Sequence, residues 1–147
     1  MKFAFLIGRA VFGGFFLYNG INHFKQHNSL AQYAGAKHVP QPDTAVKLSG
    51  LLLLIGGSSV ILGYKPKLGV AAIAAFLASV SPVMHDFWNE DENQRQNDMI
   101  HFAKNLALLG AAIALAGIEE PWPAAVPGAH PTSARRAVQS ASKRLVA

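Results

Sequence analysis

The chain has 147 residues and no cysteine, and 51% of its residues are hydrophobic while only 14% are charged. Soluble domains of ordinary composition carry about 25% charged residues, so this composition excludes an ordinary soluble domain as the main part of the chain. The lack of cysteine excludes disulfides, thiolate metal sites and a thiol relay within the chain. The net charge of +5 is divided between short loops and the C-terminal tail, which argues against a surface that binds nucleic acid.

Four apolar stretches dominate the chain, and each is about as long as the roughly 20 residues that a helix needs to cross a bilayer. They predict an all-α integral membrane protein, in which a four-helix bundle over residues 1–120 lies in contact with the lipid bilayer. The predicted spans are 3–24, 44–64, 68–87 and 99–118.

Two of the connections between these spans are long. Segment 25–43 exceeds the usual length of a helix–helix link and closes at Pro40 and Pro42, so we expect a short interfacial helix within it, around 30–36. The loop 86–98 contains five carboxylates and one arginine. The link between the second and third spans is a tight turn, which predicts that these two spans form an antiparallel hairpin.

The charges of the loops predict how the chain is oriented. The turn at Lys65 and Lys67 is basic, and so is the tail 121–147, whereas the loop 86–98 is acidic. By the positive-inside rule both termini then lie in the cytoplasm. The tail is rich in proline and alanine, and we expect it to be disordered.

Ionisable side chains inside the spans need an explanation, because each costs about 2.5–3.5 kcal/mol at the centre of a helix. Arg9 and His23 share one face of the first span, and Arg9, nearer the cytoplasm, is predicted to point inward as a structural residue. The alternating directions of the spans bring their polar ends together on the non-cytoplasmic side, which predicts a ligand pocket there. Its predicted members are Asn19, His23, His85, Trp88, His101, Lys104 and Asn105.

Other interpretations of these polar residues stay open at this stage. His23 could cap the first span among the headgroups, Trp88 could belong to an aromatic belt, and Lys47 could snorkel to the interface. Lys104 lies more than one turn inside the fourth span, so we expect it to be held inside the bundle. The histidines lack the spacing of a metal site within any one helix, and no phosphate-binding loop occurs, so neither a metal nor a nucleotide is predicted.

Three motifs resemble a known family of membrane proteins. The first span contains GRAVFGGFFLYNGINHF over 8–24, the third closes on MHDFW over 84–88, and the fourth contains FAKNLALLG over 102–110. Together, and in this order, they resemble the DoxX family, and the resemblance covers about residues 1–118. It implies a four-helix membrane bundle in the cytoplasmic membrane of a bacterium. The family-like polar positions that it implies are Arg9, His23, His85, Lys104 and Asn105.

The resemblance also implies a role in membrane redox chemistry. The family takes its name from a subunit of a thiosulfate:quinone oxidoreductase, so the first hypothesis is a quinone-interacting subunit of a membrane redox or oxidative-stress system, with quinone as its cofactor. The sequence shows no electron-transfer cofactor, so an enzymatic role would need a partner redox protein. Two alternatives stay open: a non-catalytic membrane scaffold or assembly partner, and a transporter of small solutes or protons that works as an oligomer.

Overall fold

The structure is a computed structural model, and it describes residues 2–126. This part of the chain contains helices and no strand, so the predicted all-α class is confirmed. The helices are α1 (Lys2–Lys25), α2 (His27–Ala36), α3 (Pro42–Leu62), α4 (Pro66–Met84) and α5 (Glu92–Ala116).

Four of these helices, α1, α3, α4 and α5, are long and apolar enough to cross a membrane. The predicted short helix between the first two spans is α2, which begins at His27 rather than at residue 30. Both α3 and α4 begin at a proline, Pro42 and Pro66, whose fixed φ suits the first turn of a helix. Helix α4 ends at Met84 and not at residue 87.

The acidic loop is shorter than predicted, because α5 begins well before residue 99. The carboxylate of Asp91 accepts backbone N–H bonds from Asn93 at 3.0 Å and from Gln94 at 3.1 Å, and such an N-cap stabilises a helix start by about 1 kcal/mol. The first two turns of α5 are therefore polar. Asp98, which the sequence assigned to the loop, lies inside the helix and is buried.

The spanning helices pack in the spatial order α1, α3, α4, α5, and α2 lies against α3. Their shared core contains Phe16 from α1, Leu53 from α3, and Ile73 and Leu77 from α4, each at most 2% exposed. The outward faces of the helices are also apolar, as expected of helices surrounded by lipid. Because lipid is as apolar as the core, close packing and polar contacts hold the helices together.

Helices α1 and α3 approach each other closely along a seam of glycines. A Cβ added to Gly57 would lie 2.7 Å from the carbonyl oxygen of Gly13 and 2.7 Å from the backbone nitrogen of Leu17. Both distances are too short for a real Cβ atom, so only glycine allows these two backbones to touch. Seams of small residues are a common way for membrane helices to associate.

One end of the bundle, which we call the Arg9 end, is closed by the chain that follows α5. Trp122 is fully buried there, and its ring meets the ring of Phe5 edge-on at a centroid distance of 5.4 Å. Arg9 is 6% exposed. Its Nη1 donates to the carbonyl oxygen of Pro123 at 2.8 Å, and its Nη2 donates to that of Ala124 at 3.3 Å.

A backbone hydrogen bond fixes the same segment, since the N–H of Val126 donates to the carbonyl oxygen of Leu62 at 3.1 Å. The folded unit therefore extends beyond residue 120, where the sequence analysis placed the boundary of the membrane domain. The remainder of the expected disordered tail, residues 127–147, lies outside the part of the chain that the structure describes.

Candidate functional site

At the opposite end of the bundle, where α1 and α4 end and α3 and α5 begin, charged side chains converge on Lys37. We call this the carboxylate end. The Nζ atom of Lys37, the residue that follows α2, lies 2.5 Å from Oδ1 of Asp86 and 3.5 Å from Oδ2 of Asp98, and it also donates to Glu90. The side chain of Lys37 is 13% exposed and that of Asp98 is 7% exposed. One ammonium group therefore ties α2 to the α4–α5 loop and to α5.

The three carboxylates of this cluster are close enough to consider as a cation site. Oxygens of Asp86, Glu90 and Asp98 lie within 4.8 Å of one another. The ammonium of Lys37 already supplies a positive charge to all three. The arrangement therefore favours an internal ion cluster rather than a metal centre.

Two histidines extend the cluster along α5. Nδ1 of His85 lies 3.4 Å from Oδ1 of Asp98, and the ring of His85 stacks on that of His101 at a centroid distance of 5.0 Å and an interplanar angle of 16°. Nζ of Lys104 lies 3.1 Å from Nδ1 of His101. A line of titratable groups thus runs from Lys104 through both histidines to Asp98 and Lys37.

The surroundings of the ion cluster change the pKa values of its members. Burial acts to lower the pKa of Lys37, but its hydrogen bonds to Asp86 and Glu90 outweigh that effect, so the pKa lies above the usual lysine value. The hydrogen bond from Lys37 lowers the pKa of Asp86, and a second one from Asn89 acts in the same direction. Burial lowers the pKa of His85, although its contact with Asp98 acts in the opposite sense. At neutral pH the charged forms of Lys37 and Asp86 and the neutral form of His85 are therefore favoured.

Helix α2 is held by two further polar contacts. The hydroxyl of Tyr33 donates to the carbonyl oxygen of Met84 at 3.1 Å, and burial together with the nearby charge of Asp98 raises the pKa of that hydroxyl. Near the start of α2, Nε2 of His27 lies 3.0 Å from Oδ1 of Asp43. These contacts, with the Lys37 cluster, fix α2 across the ends of α3 and α4.

An apolar cleft of about 460 Å³ lies under α2. Its walls come from α2, the chain 38–40, the first turns of α3 and the last turns of α4, with His23 of α1 beside them. Most of the lining side chains are apolar. Those that shape its floor and walls include Leu30, Ala34, Val46, Phe76, Val80 and Val83.

The cleft also has a few polar side chains. Nδ1 of His23 is hydrogen-bonded to the carbonyl oxygen of Asn19 at 2.8 Å, and the ring of His23 meets that of Phe76 edge-on at 6.0 Å. The hydroxyls of Ser49 and Ser79 donate to carbonyl oxygens of their own helices, each at 3.0 Å. His38 completes the polar lining. The cleft can therefore surround a flat apolar ligand and contact a small number of its oxygens.

The seven residues predicted from the sequence to form one pocket do not lie together in the structure. Only His23 lines the cleft. His85, His101 and Lys104 lie together in the ion cluster. Lys104 is exposed, so its expected position inside the bundle is wrong for the single chain.

The other three predicted residues have local surroundings of their own. Nδ2 of Asn19 donates to the carbonyl oxygen of Phe15 at 2.7 Å. Asn105 is buried on the face of α5 that also carries Asp98. Trp88 is half exposed and packs against Phe87 and Phe102. These placements do not by themselves assign a function to any of the three.

The predicted site residues included neither Lys37 nor the carboxylates Asp86, Glu90 and Asp98 of the ion cluster, and none of the residues that line the cleft except His23. Asp98 carried a usable signal, since it precedes His101 by three residues and Asn105 by seven, which places all three on neighbouring faces of a helix. Lys37 directly follows the predicted short helix. Its partners Asp86 and Glu90 are about 50 residues away in sequence, and no local pattern indicates that pairing.

A family comparison agrees with this architecture. The family model DoxX matches residues 4–86, which is more than half of the chain. The chain belongs to the DoxX family. The matched region covers α1 to α4, including the cleft, and ends before α5 begins. No curated protein and no solved structure matches the chain.

Proposed function

We propose that this DoxX-family protein is a subunit of a membrane redox system that binds a quinone in the apolar cleft, near the non-cytoplasmic face of the membrane. The observation that carries the proposal is the cleft itself, about 460 Å³ in volume and almost wholly apolar, with the imidazole of His23 held beside Phe76. Sites for small ligands usually measure about 300–1,000 Å³ and combine apolar walls with a few polar groups. A quinone head group is a flat ring with polar oxygens and matches that description.

His23 supplies the proton chemistry that a quinone site requires. Interconversion of a quinone and its quinol moves two protons with two electrons, and an imidazole in the wall can accept one of these protons from a ligand hydroxyl and return it. The proposal assigns the supply of electrons to a partner protein, because the chain has no cysteine for an iron–sulfur cluster or a thiol relay. The family's namesake, a thiosulfate:quinone oxidoreductase subunit, supports the same substrate class.

Thermal unfolding of the full chain in detergent, with and without a short-tailed ubiquinone, tests the proposal. Ligand at 100 times its Kd should stabilise the wild type by about 2.7 kcal/mol. Val80→Trp, which fills the cleft, should lose this stabilisation, whereas His101→Gln, outside the cleft, should keep it. An unchanged ligand effect in Val80→Trp would place the quinone elsewhere. No effect in the wild type would show that the proposal is wrong.

The outer face of α5 favours a second candidate function, that of an assembly partner. Lys104 is exposed on this helix within a predicted span, and Ile100 and Ala111, one turn before it and two turns after it on the same face, are exposed too. A lysine that faces lipid is costly, and a second copy of the chain against this face would shelter it. Because the chain has no cysteine, Ala111→Cys gives a single crosslinking site on this face. We expect Ala111→Cys to form a crosslinked dimer in membranes and Val11→Cys, which faces outward on α1, to stay monomeric.

A further inference from the structure

The hydrogen bonds around the cleft determine which of its polar atoms can donate to a ligand. Nδ1 of His23 is bonded to the carbonyl oxygen of Asn19. A carbonyl oxygen can only accept, so Nδ1 must carry the proton. In the neutral imidazole the other nitrogen, Nε2, is then an acceptor. Residue His23 therefore presents a lone pair to the cleft.

The hydroxyl protons of the two serines in the cleft are also already used in hydrogen bonds to the protein. A hydroxyl has one proton to donate and two lone pairs with which to accept. The protons of Ser49 and Ser79 are directed to the carbonyl oxygens of Val46 and Phe76. Toward a ligand, each hydroxyl oxygen can therefore act only as an acceptor.

The other lining residues add little donor capacity. Ten of the fourteen residues that line the cleft have apolar side chains. Of the four polar side chains, His23, Ser49 and Ser79 donate to protein carbonyls. The fourth, His38, lies at the exposed edge of the cleft and has no such bond to the residues that the structure describes. The backbone N–H groups of the lining residues also have protein acceptors: those inside the helices bond within their helix, Ala45 donates to Gln41, and His38 and Val39 donate to Gly35 and Ala34. The interior of the cleft is therefore rich in lone pairs and poor in donors.

We propose that the cleft selects a ligand with hydroxyl donors, and so binds the reduced quinol in preference to the oxidised quinone. The inference rests on the proposed function, since it concerns the redox form of the ligand in the same cleft. A quinone brings only carbonyl acceptors, which would face the lone pairs of His23 and the serines without a proton between them. A quinol brings two hydroxyls, and one of them can donate to Nε2 of His23.

The expected preference is about tenfold or more, because the quinol gains a hydrogen bond and the quinone leaves polar atoms unpaired. Preferential binding of one redox form also changes the potential of the bound couple. For a two-electron couple, each tenfold preference for the reduced form raises the midpoint potential by about 30 mV. The bound couple should therefore be a stronger oxidant than the same couple free in the membrane.

Three probes of similar shape test the selectivity against the full chain in detergent. They are a short-tailed ubiquinone, its chemically reduced quinol kept under argon, and the dimethyl ether of that quinol. Titration calorimetry should give a Kd for the quinol at least tenfold below those of the other two. The ether separates the effect of the hydroxyl protons from that of the ring, because it has the reduced ring without a donor.

The outcomes distinguish this inference from the proposed function. If the quinone or the ether binds as tightly as the quinol, the selectivity is wrong while the quinone site stands. If none of the three probes binds, both are wrong. If the quinol is preferred, His23→Leu should reduce that preference to less than threefold, and His101→Gln should leave it unchanged. Thermal unfolding of each variant without ligand confirms that it is folded.

Discussion

The two ends of the bundle are closed by different kinds of interaction. At the Arg9 end a buried tryptophan packs in an apolar core, and a charged guanidinium donates to neutral backbone carbonyls. At the carboxylate end an ammonium group links three carboxylates, and a histidine lies against one of them. Packing and hydrogen bonds to carbonyls involve no group that titrates between acid and neutral pH, whereas the carboxylates and the histidine of the carboxylate end do titrate below neutral pH. The helix that covers the cleft is therefore held by titratable contacts, and the opposite end is not.

The largest effect is expected from Trp122→Ala at the Arg9 end. Removal of a fully buried indole should cost about 3–5 kcal/mol of unfolding free energy, measured by thermal or denaturant unfolding in detergent. Trp88→Ala, at the half-exposed tryptophan of the carboxylate end, is the matched control and should cost much less. Equal losses for the two variants would contradict the assignment of Trp122 to the core.

A further variant separates the packing of Trp122 from its polar atom. Its Nε1 is buried without a hydrogen-bond partner in the described part of the chain. Trp122→Phe keeps most of the ring and removes that unpaired donor, so it should remain close to the wild type in stability. A loss as large as that of Trp122→Ala would indicate that the indole nitrogen has a partner, such as a buried water.

The next largest effect is expected from Lys37→Met at the carboxylate end. The variant leaves three carboxylates together without their counter-charge, and loss of hydrogen bonds to charged groups costs about 1.5–3 kcal/mol at neutral pH. Lys47→Met, an exposed lysine on α3, should change stability little. Measurement of unfolding for both variants at pH 7 tests the difference.

The stability lost in Lys37→Met should depend on pH, whereas the stability lost by a substitution of Arg9 should not. Lys37 lowers the pKa of Asp86 in the folded protein, so the stabilisation is present above the unfolded value of about 3.9 and is lost as the pH falls through the folded value. The cost of Lys37→Met should therefore shrink below about pH 4. The cost of Arg9→Met should stay constant over the same range, because the acceptors of Arg9 are carbonyls.

A smaller pH effect is expected from His85. Burial lowers its pKa in the folded state, so below the unfolded value of about 6.5 the unfolded chain binds the proton more readily and stability falls. Above that pH the residue makes no pH-dependent contribution. His85→Gln should weaken the decline in melting temperature between pH 7.5 and 5. The same slope in His85→Gln and wild type would contradict this assignment.

The smallest effect is expected from Tyr33→Phe. The variant removes one hydrogen bond, from the Tyr33 hydroxyl to the carbonyl oxygen of Met84, and should cost about 0.5–1.5 kcal/mol. Because this bond fixes α2 over the cleft, hydrogen exchange of α2 amides should accelerate more than that of α5 amides. Tyr18→Phe, at an outward-facing tyrosine of α1, is the control.

The sequence was sufficient for the membrane spans, because a bilayer sets the length and polarity that a span needs. The contact between α1 and α3 was not predicted, because Gly13 and Gly57 meet there although they are far apart in the sequence. The start of α5 was missed, because its first turns are as polar as a loop and only the cap at Asp91 marks the boundary. The apolar stretch 99–118 alone could not show that the helix also includes the charged residues before it.

The candidate site could be predicted only in part. Histidines in the last turns of two helices indicated the polar end, and His85 and His101 do meet there. The cleft, however, is formed by apolar residues, and periodicity cannot distinguish an apolar side chain that borders a gap from one that faces lipid. The burial of Asp98 depends on Lys37, whose position is fixed by the tertiary placement of α2.

The hydrogen bonds of Arg9 also constrain how the protein is made. Its acceptors, the carbonyls of Pro123 and Ala124, lie more than 110 residues later in the chain. During translation α1 reaches the membrane with a guanidinium whose partners have not yet been synthesised, so water, lipid phosphate or the insertion machinery must solvate that charge until the last helix has entered. A chain that stops before residue 123 lacks both acceptors and leaves the guanidinium of Arg9 unpaired at this end of the bundle.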